Sequence, residues 1–244
     1  MIKSAIEKIK RATLKLSGEL FKSKEESVSF DEYDKVAKQL IFIKEQTRIE
    51  LAVVIGGGNI FRGRQANVKV DRNEADSMGM LATIMNGVGL REALVRNGAT
   101  DTRLMTSISI PQIAEPYIRI KGRHHLENQR LVVIAGGLGI PNFSTDSAVA
   151  QFADELQCRI IFKASTVDGV YDSDPKKNTG AKKYKEITYR QAIGQRLGVM
   201  DATAFTMCEK SGIPILVFDI KDLHKLPEII NGDFSFGTLI DGEK

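Results

Sequence analysis

An apolar run that stops abruptly at three glycines constrains this chain more than any other stretch. Leu51, Ala52, Val53, Val54 and Ile55 form a short, partly β-branched segment that empties into Gly56, Gly57 and Gly58. That is the pattern of a buried parallel strand entering a tight turn. Lacking Cβ atoms, such a turn lets backbone close on a ligand and aim N–H groups at an anion. Asn59 is placed to cap a following helix, and Arg62 brings a planar cationic fork suited to phosphate oxygens. Two readings fit this cluster alone: a phosphate cradle, or a turn that merely lets strand and helix pack.

The same design recurs on both sides of it. Residues 12–16 read as a strand that carries Lys15 and runs into Ser17-Gly18-Glu19. Residues 131–135 read as another, running into Gly136, Gly137 and Gly139, with Ser144-Thr145-Asp146 capping a helix that reaches about Gln157. Residues 31–46 space Tyr33, Val36, Ala37, Leu40, Ile41 and Ile43 along one face of an amphipathic helix, with Ser29 or Asp31 as its cap. Residues 74–97 read as one long helix ending at Asn97-Gly98. Core packing explains its stripe of Met78, Leu81, Met85 and Val88 more cheaply than a methionine-lined groove does. Gly79, Gly87 and Gly89 weaken that helix by ~1 kcal/mol each relative to Ala, so they mark close packing, or backbone approach to a ligand near Gly79. Asp76 either complements the helix dipole or binds ribose hydroxyls. Further strands are expected at 102–110, 159–163, 213–218 and 238–240, and helices at 189–195, 202–211 and 226–230. The basic piece 119–130 reads as a solvated loop, with an anionic effector site as its second reading. Residues 167–175 are rich in turn formers and acids.

Strands alternating with helices imply an α/β fold with a mostly parallel sheet covered on both faces, in which ligands gather at the carboxyl ends of the strands. The three glycine turns all lie at that end, and two of them supply cations, Lys15 and Arg62. A chain of 244 residues can bury a full core, and a single domain over 1–244 is the favoured organisation. With 35 basic and 31 acidic residues the charge is too balanced to argue for nucleic acid as a partner. No apolar run approaches the ~20 residues that cross a bilayer, and charges occupy the start where a signal peptide needs its apolar centre. A soluble, cytoplasmic protein without membrane attachment is expected. Cys158 and Cys208 form no Cys-x-x-Cys pair and read as small buried apolar residues.

No GxxxxGK[ST] occurs, no GxGxxG follows a strand, and HExxH and GxSxG are missing too. Nor are histidines placed for acid–base work. If the acceptor is itself a phosphate, largely ionised at neutral pH because its second pKa is about 6, no general base is needed. Catalysis then reduces to clamping two anionic phosphates in line and neutralising charge as it migrates.

In KLSGE at Lys15, GGGNIFRG at Gly56, DSMGMLATIMNG at Asp76, STDSA at Ser144, KASTVDGVYDSDP at Lys163 and MDATA at Met200, the sequence resembles the bacterial-type UMP kinases of the amino acid kinase superfamily. The motifs span almost the whole chain in family order. The resemblance implies a three-layer α/β/α sandwich with a mostly parallel central sheet. It also implies conversion of UMP to UDP for pyrimidine nucleotide biosynthesis, with Mg²⁺ carried by ATP and no metal ligand set of the protein's own, and a homohexamer under allosteric control by nucleotides such as GTP or UTP. By the same resemblance, Lys15, Leu16, Ser17, Gly18, Gly58 and Arg62 hold the ATP phosphates, while Ser165, Tyr171 and Asp174 line the rest of the ATP site. UMP falls to Gly57, to Asp76 at the ribose, and to Leu138, Gly139, Ile140, Pro141, Asn142, Phe143, Ser144 and Thr145. Lys15, Arg62 and Asp146 are the implied catalytic group, with Asp146 organising Lys15 and the metal-bound phosphates. Asp201 is either similar in kind or structural. Arg103 and Arg130 match effector-binding positions of some relatives. Many relatives read GTGNPFFTTD in the third turn; here Leu138 and Ile140 replace two polar side chains, while Asn142 and Thr145 remain to donate and accept.

Two alternatives stand beside this reading. One is a kinase of the same fold acting on a small carboxylate or carbamate, such as an acetylglutamate, aspartate or glutamate kinase, against which Asp76 argues. The other is a nucleotide-sensing protein without turnover, against which Lys15, Arg62 and Asp146 argue.

Overall fold

The computed structural model describes residues 9–62, 70–175 and 177–242. Lys8, one of the charges at the start, and Gly63, which ends the GGGNIFRG motif, lie outside them. β1 (Arg11–Leu16) is the middle strand of a nine-stranded sheet. On one side of it run β2 (Glu50–Ile55), β5 (Val132–Ala135), β3 (Arg103–Thr106) and the two-residue β4 (Glu115–Pro116), each pair parallel. On the other side β6 (Ile160–Ser165) and β8 (Ile215–Asp219) continue parallel, β9 (Gly237–Asp241) turns antiparallel to β8, and β7 (Glu186–Thr188) closes the edge.

Strand alternation divides the core into two layers. Leu14, Leu16, Val53, Ile55, Val133 and Phe162 face one side, against α1 (Phe30–Thr47), α2 (Arg72–Arg96) and α7 (Leu226–Ile230). Ala52, Val54, Val132, Ile134 and Ile161 face the other, against α3 (Arg119–Glu127), α4 (Thr145–Glu155), α5 (Tyr189–Gly194) and α6 (Ala202–Ser211). Each fully buried Leu, Ile or Phe in these layers is worth about 2 kcal/mol relative to exposure. The expected α/β/α sandwich with a mostly parallel sheet is the one found. Both cysteines are free and buried, and among the described residues no helix is long and apolar enough to cross a membrane.

Several sequence expectations need correction. The strand expected over 102–110 is confined to β3, because the chain bends after Thr106, and Ser107 then donates its hydroxyl to the Gly136 carbonyl (2.7 Å). The basic piece read as a loop contains α3, whose buried Gly122, His125 and Leu126 follow helical spacing without forming an obvious apolar stripe. Asn59 caps no helix: α2 begins later and is capped by Asp71, whose side chain accepts from the Asn73 N–H (2.8 Å). Ser29 stands at the start of α1 without a capping hydrogen bond from its side chain. The short strands β4 and β7 were not anticipated.

Of the stripe expected on α2 only Val88 packs against the core; Met78, Leu81 and Met85 are 47%, 50% and 57% exposed. α2 buries a mixed face instead, with Ile84, Leu90 and Leu94 among Ala82, Gly87 and Ala93. A Cβ at Gly87 would lie 2.8 Å from Leu104 Cδ1, and one at Gly89 would lie 2.7 Å from the Tyr33 ring. Close approach of the helix to sheet and neighbour therefore needs glycine at these two points of its buried face.

Candidate active site

At the carboxyl ends of the central strands the backbone leaves three corners. The first two touch: the Gly56 N–H donates to the Leu16 carbonyl (2.9 Å), and a Cβ at Gly18 would lie 2.7 Å from the Gly58 nitrogen. The second and third meet on α2. A Cβ at Gly57 would stand 2.9 Å from Thr83 N, and the Thr83 hydroxyl accepts from the Gly136 N–H (2.7 Å). In the third corner Gly136, Gly137, Gly139 and Asn142 all have positive φ (91°, 57°, 77° and 70°), which glycine adopts freely and asparagine tolerates. Corners from distant parts of the chain thus converge on the N-terminal half of one helix.

Between α2 and these corners lies an open cavity of about 400 Å³. Gly57, Gly58, Arg62, Asp76, Ser144 and Thr145 line it, with Phe143 beside them. Gly79, flagged from sequence as a point of backbone approach, lines it as well and has open space where a side chain would be. Asp76 Oδ2 accepts from the Asn142 N–H (2.8 Å), which ties the third corner to α2. Arg62 donates through Nε to the Gly58 carbonyl (2.9 Å) and pairs with Glu19. Burial pushes the Glu19 carboxyl up, but Lys22 and Arg62 outweigh it and hold the group below the usual carboxylate range.

Next to Thr145, Asp146 stands at the first turn of α4, where the Ser144 hydroxyl accepts from the N–H groups of Asp146 (2.9 Å) and Ser147 (3.2 Å). Its carboxylate receives two lysines: Lys163 Nζ at 2.6 Å from Oδ2 and Lys15 Nζ at 3.5 Å from Oδ1. Lys15 and Lys163 are register partners on β1 and β6. Like charges directly opposite in a sheet repel, so the shared carboxylate is what makes the pair tolerable. Burial pushes Asp146 up, yet the two ammonium groups prevail and hold it below its ordinary value. Burial pulls Lys163 down to about 8, opposed by Asp146 and reinforced by Lys15. Sequence reasoning assigned no role to Lys163. The available signal was a lone charge at the carboxyl end of an apolar strand, a position that demands a partner.

Asp201 caps α6, accepting from the Ala204 N–H (2.7 Å), and also accepts from the hydroxyls of Ser144 and Ser147. It therefore braces the start of α4, and its charge also favours the ionised form of Lys163. Among the remaining sequence candidates, Leu16 is fully buried in the core and Leu138 packs against the opposite layer. Only the backbone of Leu16 can meet a ligand, whereas Leu138 is half-buried. Ser17 accepts from the Glu19 N–H, Gly139 closes the third corner through the Gly136 carbonyl (3.0 Å), Ile140 is exposed and Pro141 half-buried beside it. Ser165 ends β6 two residues beyond Lys163. In the loop that follows, the Tyr171 hydroxyl donates to Asp168 (2.7 Å), and the Asp174 carbonyl accepts from the N–H groups of Lys177 and Asn178. These three leave the same sheet edge but do not line the cavity. Arg103 and Arg130 lie at the opposite, amino ends of the strands, joined through Asp101, with His125 between Glu115 (3.1 Å) and Arg130 (3.0 Å).

Among the described residues no three His, Cys, Asp or Glu side chains cluster to hold a metal. Asp146 Oδ1, however, is buried with only the long Lys15 contact (3.5 Å) and no hydrogen bond. A carboxylate oxygen with such spare capacity suits a cation that arrives already attached to phosphates better than a protein cage.

The model of the amino acid kinase family matches residues 10–219. The uridylate kinase of Corynebacterium diphtheriae is 42% identical over 232 residues, covering 95% of this chain and 94% of that protein. The uridylate kinase of Deinococcus radiodurans is 43% identical over 233 residues, with the same coverage of 95% and 94%. Among solved structures, a UMP kinase from Bacillus anthracis superposes with a TM-score of 0.92 at 37% identity, covering 98% of both chains. One from Ureaplasma parvum superposes with 0.87 at 33%, covering 96% of this chain and 100% of that one.

Proposed function

Because this chain belongs to the amino acid kinase family, among its uridylate kinases, we propose that its cleft transfers the γ-phosphoryl group of ATP to UMP, giving UDP and ADP. The observation that carries this reading is the Lys15–Asp146–Lys163 cluster, which adjoins a cavity lined by glycine backbone, Arg62 and Asp76. The UMP phosphate is a competent nucleophile as a dianion, so the absence of a base from the reading costs nothing. Lys15, Arg62 and the N–H groups of Ser17, Gly18 and Gly58 hold the donor phosphates. Lys163 joins Lys15 in stabilising charge as it shifts to the leaving oxygen. Ser165, Tyr171 and Asp174 serve the nucleoside end of ATP, while Gly57, Asp76 and residues 138–145 hold UMP. Asp146 Oδ1 would hold a Mg²⁺ carried by the triphosphate, which would supply positive charge against the phosphates.

A coupled ADP-release assay with UMP, CMP, acetylglutamate and aspartate tests the assignment. UMP should be the preferred acceptor; turnover with a carboxylate alone would transfer the chain to the other branch of its fold, and ADP release with none of them would sink the reading. Asp76→Asn should raise the KM for UMP several-fold, by roughly the 1–2 kcal/mol of a charge-assisted hydrogen bond. The KM for ATP should stay within about twofold. Equal shifts in both constants would take Asp76 out of the acceptor site.

The chain acts as one domain, as the single sheet running through it supports. Assembly into a homohexamer is supported by the exposed Met78–Leu81–Met85 stripe, whose helical spacing suits packing against a second copy. Leu81→Glu should accordingly yield smaller species in sedimentation velocity, and an unchanged sedimentation coefficient would remove this face from the interface. The arginines at Arg103 and Arg130 suit an anionic effector such as GTP or UTP. The free buried thiols agree with a cytoplasmic setting.

A further inference from the structure

One buried amide ties the first two corners of the cleft to the helices behind them. Asn86, in the middle of α2, is fully buried. Its Nδ2 donates to the Gly56 carbonyl (2.8 Å) and to Asn59 Oδ1 (2.7 Å). Its Oδ1 accepts from the Tyr33 hydroxyl (2.7 Å) and from Asn59 Nδ2 (3.2 Å). Two donors and two lone pairs are all that a side-chain amide has, so its capacity is filled. Its orientation is fixed as well. The Gly56 carbonyl can only accept, which demands Nδ2 on that side, and Asn59 Nδ2 is fixed in the same way by the Ser27 carbonyl (2.8 Å). The two amides therefore meet head to tail in one sense only.

Asn59 carries the constraint onward, because a Cβ at Gly18 would press on its Oδ1 as well as on the Gly58 nitrogen. An asparagine inside a helix is otherwise unfavourable, and an apolar residue would pack the same space without needing partners. We propose that Asn86 is a positioning residue for the phosphoryl donor, setting through Gly56 and Asn59 the spacing between the backbone N–H groups of Gly18 and Gly58. This inference rests on the phosphoryl-transfer reading of the cleft. The acceptor side has separate anchors, Thr83 to Gly136 and Asn142 to Asp76.

Asn86→Asp keeps the shape of the side chain and removes both donors. Its KM for ATP should rise and its kcat fall by about 10-fold each, while the KM for UMP, which the change reaches only through the Gly56–Gly57 peptide, rises by no more than about a third as much. A merely structural role would lower the melting temperature or the active fraction and leave both KM values unchanged; that result overturns the proposal. Tyr33→Phe, which deletes only the hydroxyl, is the milder variant should Asn86→Asp fail to fold. It should raise the KM for ATP by about threefold, and an unchanged KM overturns the proposal equally. Calorimetric Kd values for MgATP should weaken in parallel with no acceptor present. Failure of UMP as the acceptor therefore leaves this test standing, and an unshifted Kd for Asn86→Asp defeats the proposal even if UMP turns over.

Discussion

Lys15→Ala will lower kcat by roughly 10²-fold or more and leave the fold intact, the loss typical of removing one preorganised group from a transition state. The fold survives because β1 keeps its backbone pairing with β2 and β6, and Leu14 and Leu16, which face the core, are untouched. Asp146 is not orphaned by the change, since Lys163 still bonds its Oδ2 at 2.6 Å. Circular dichroism and thermal melting alongside steady-state kinetics check both halves of this expectation. Near-normal turnover in a folded variant would exclude Lys15 from charge stabilisation.

Asp146→Asn has the second large effect, and its sign with pH is specific. The substitution leaves two ammonium groups facing each other without the anion that reconciles them. Lys163, already pulled to about 8 by burial, loses the partner that opposed that pull, so its value falls further. Turnover at pH 7.5 should drop by about 10²-fold. A lysine contributes charge only below its pKa, so part of the loss should be regained as the pH falls toward 6. In the unaltered protein the same group predicts that kcat/KM declines as pH rises through about 8, since that ratio reports the free enzyme. A variant whose activity is within threefold of the original, or whose pH profile is flat, would contradict the role given to this cluster.

Periodicity was enough to read β1, β2 and β5 with their glycine corners, because the same apolar-run-then-glycine design appears three times in the sequence. Convergence of those corners followed from parallel topology alone. Other features depend on tertiary distances that no one-dimensional pattern carries. Lys163 gains its meaning only when register sets it opposite Lys15. The outward turn of Met78, Leu81 and Met85 goes with how near α2 comes to Leu104 and Tyr33, where Gly87 and Gly89 leave room for the contact. α3 hid because its buried face is built from Gly122, His125 and Leu126 rather than from aliphatic side chains. Asn86 reads as an ordinary polar position in a helix until its three partners are in place.

The pairing of two cations with a single anion at Asp146 also bears on how this protein behaves when empty. Such a cluster carries a surplus positive charge in a poorly hydrated place, so any polyanion that settles there relieves the folded chain while giving nothing to the unfolded one. Resistance to heat then becomes a gauge of nucleotide supply. A cell short of triphosphates would hold this protein in its most fragile form.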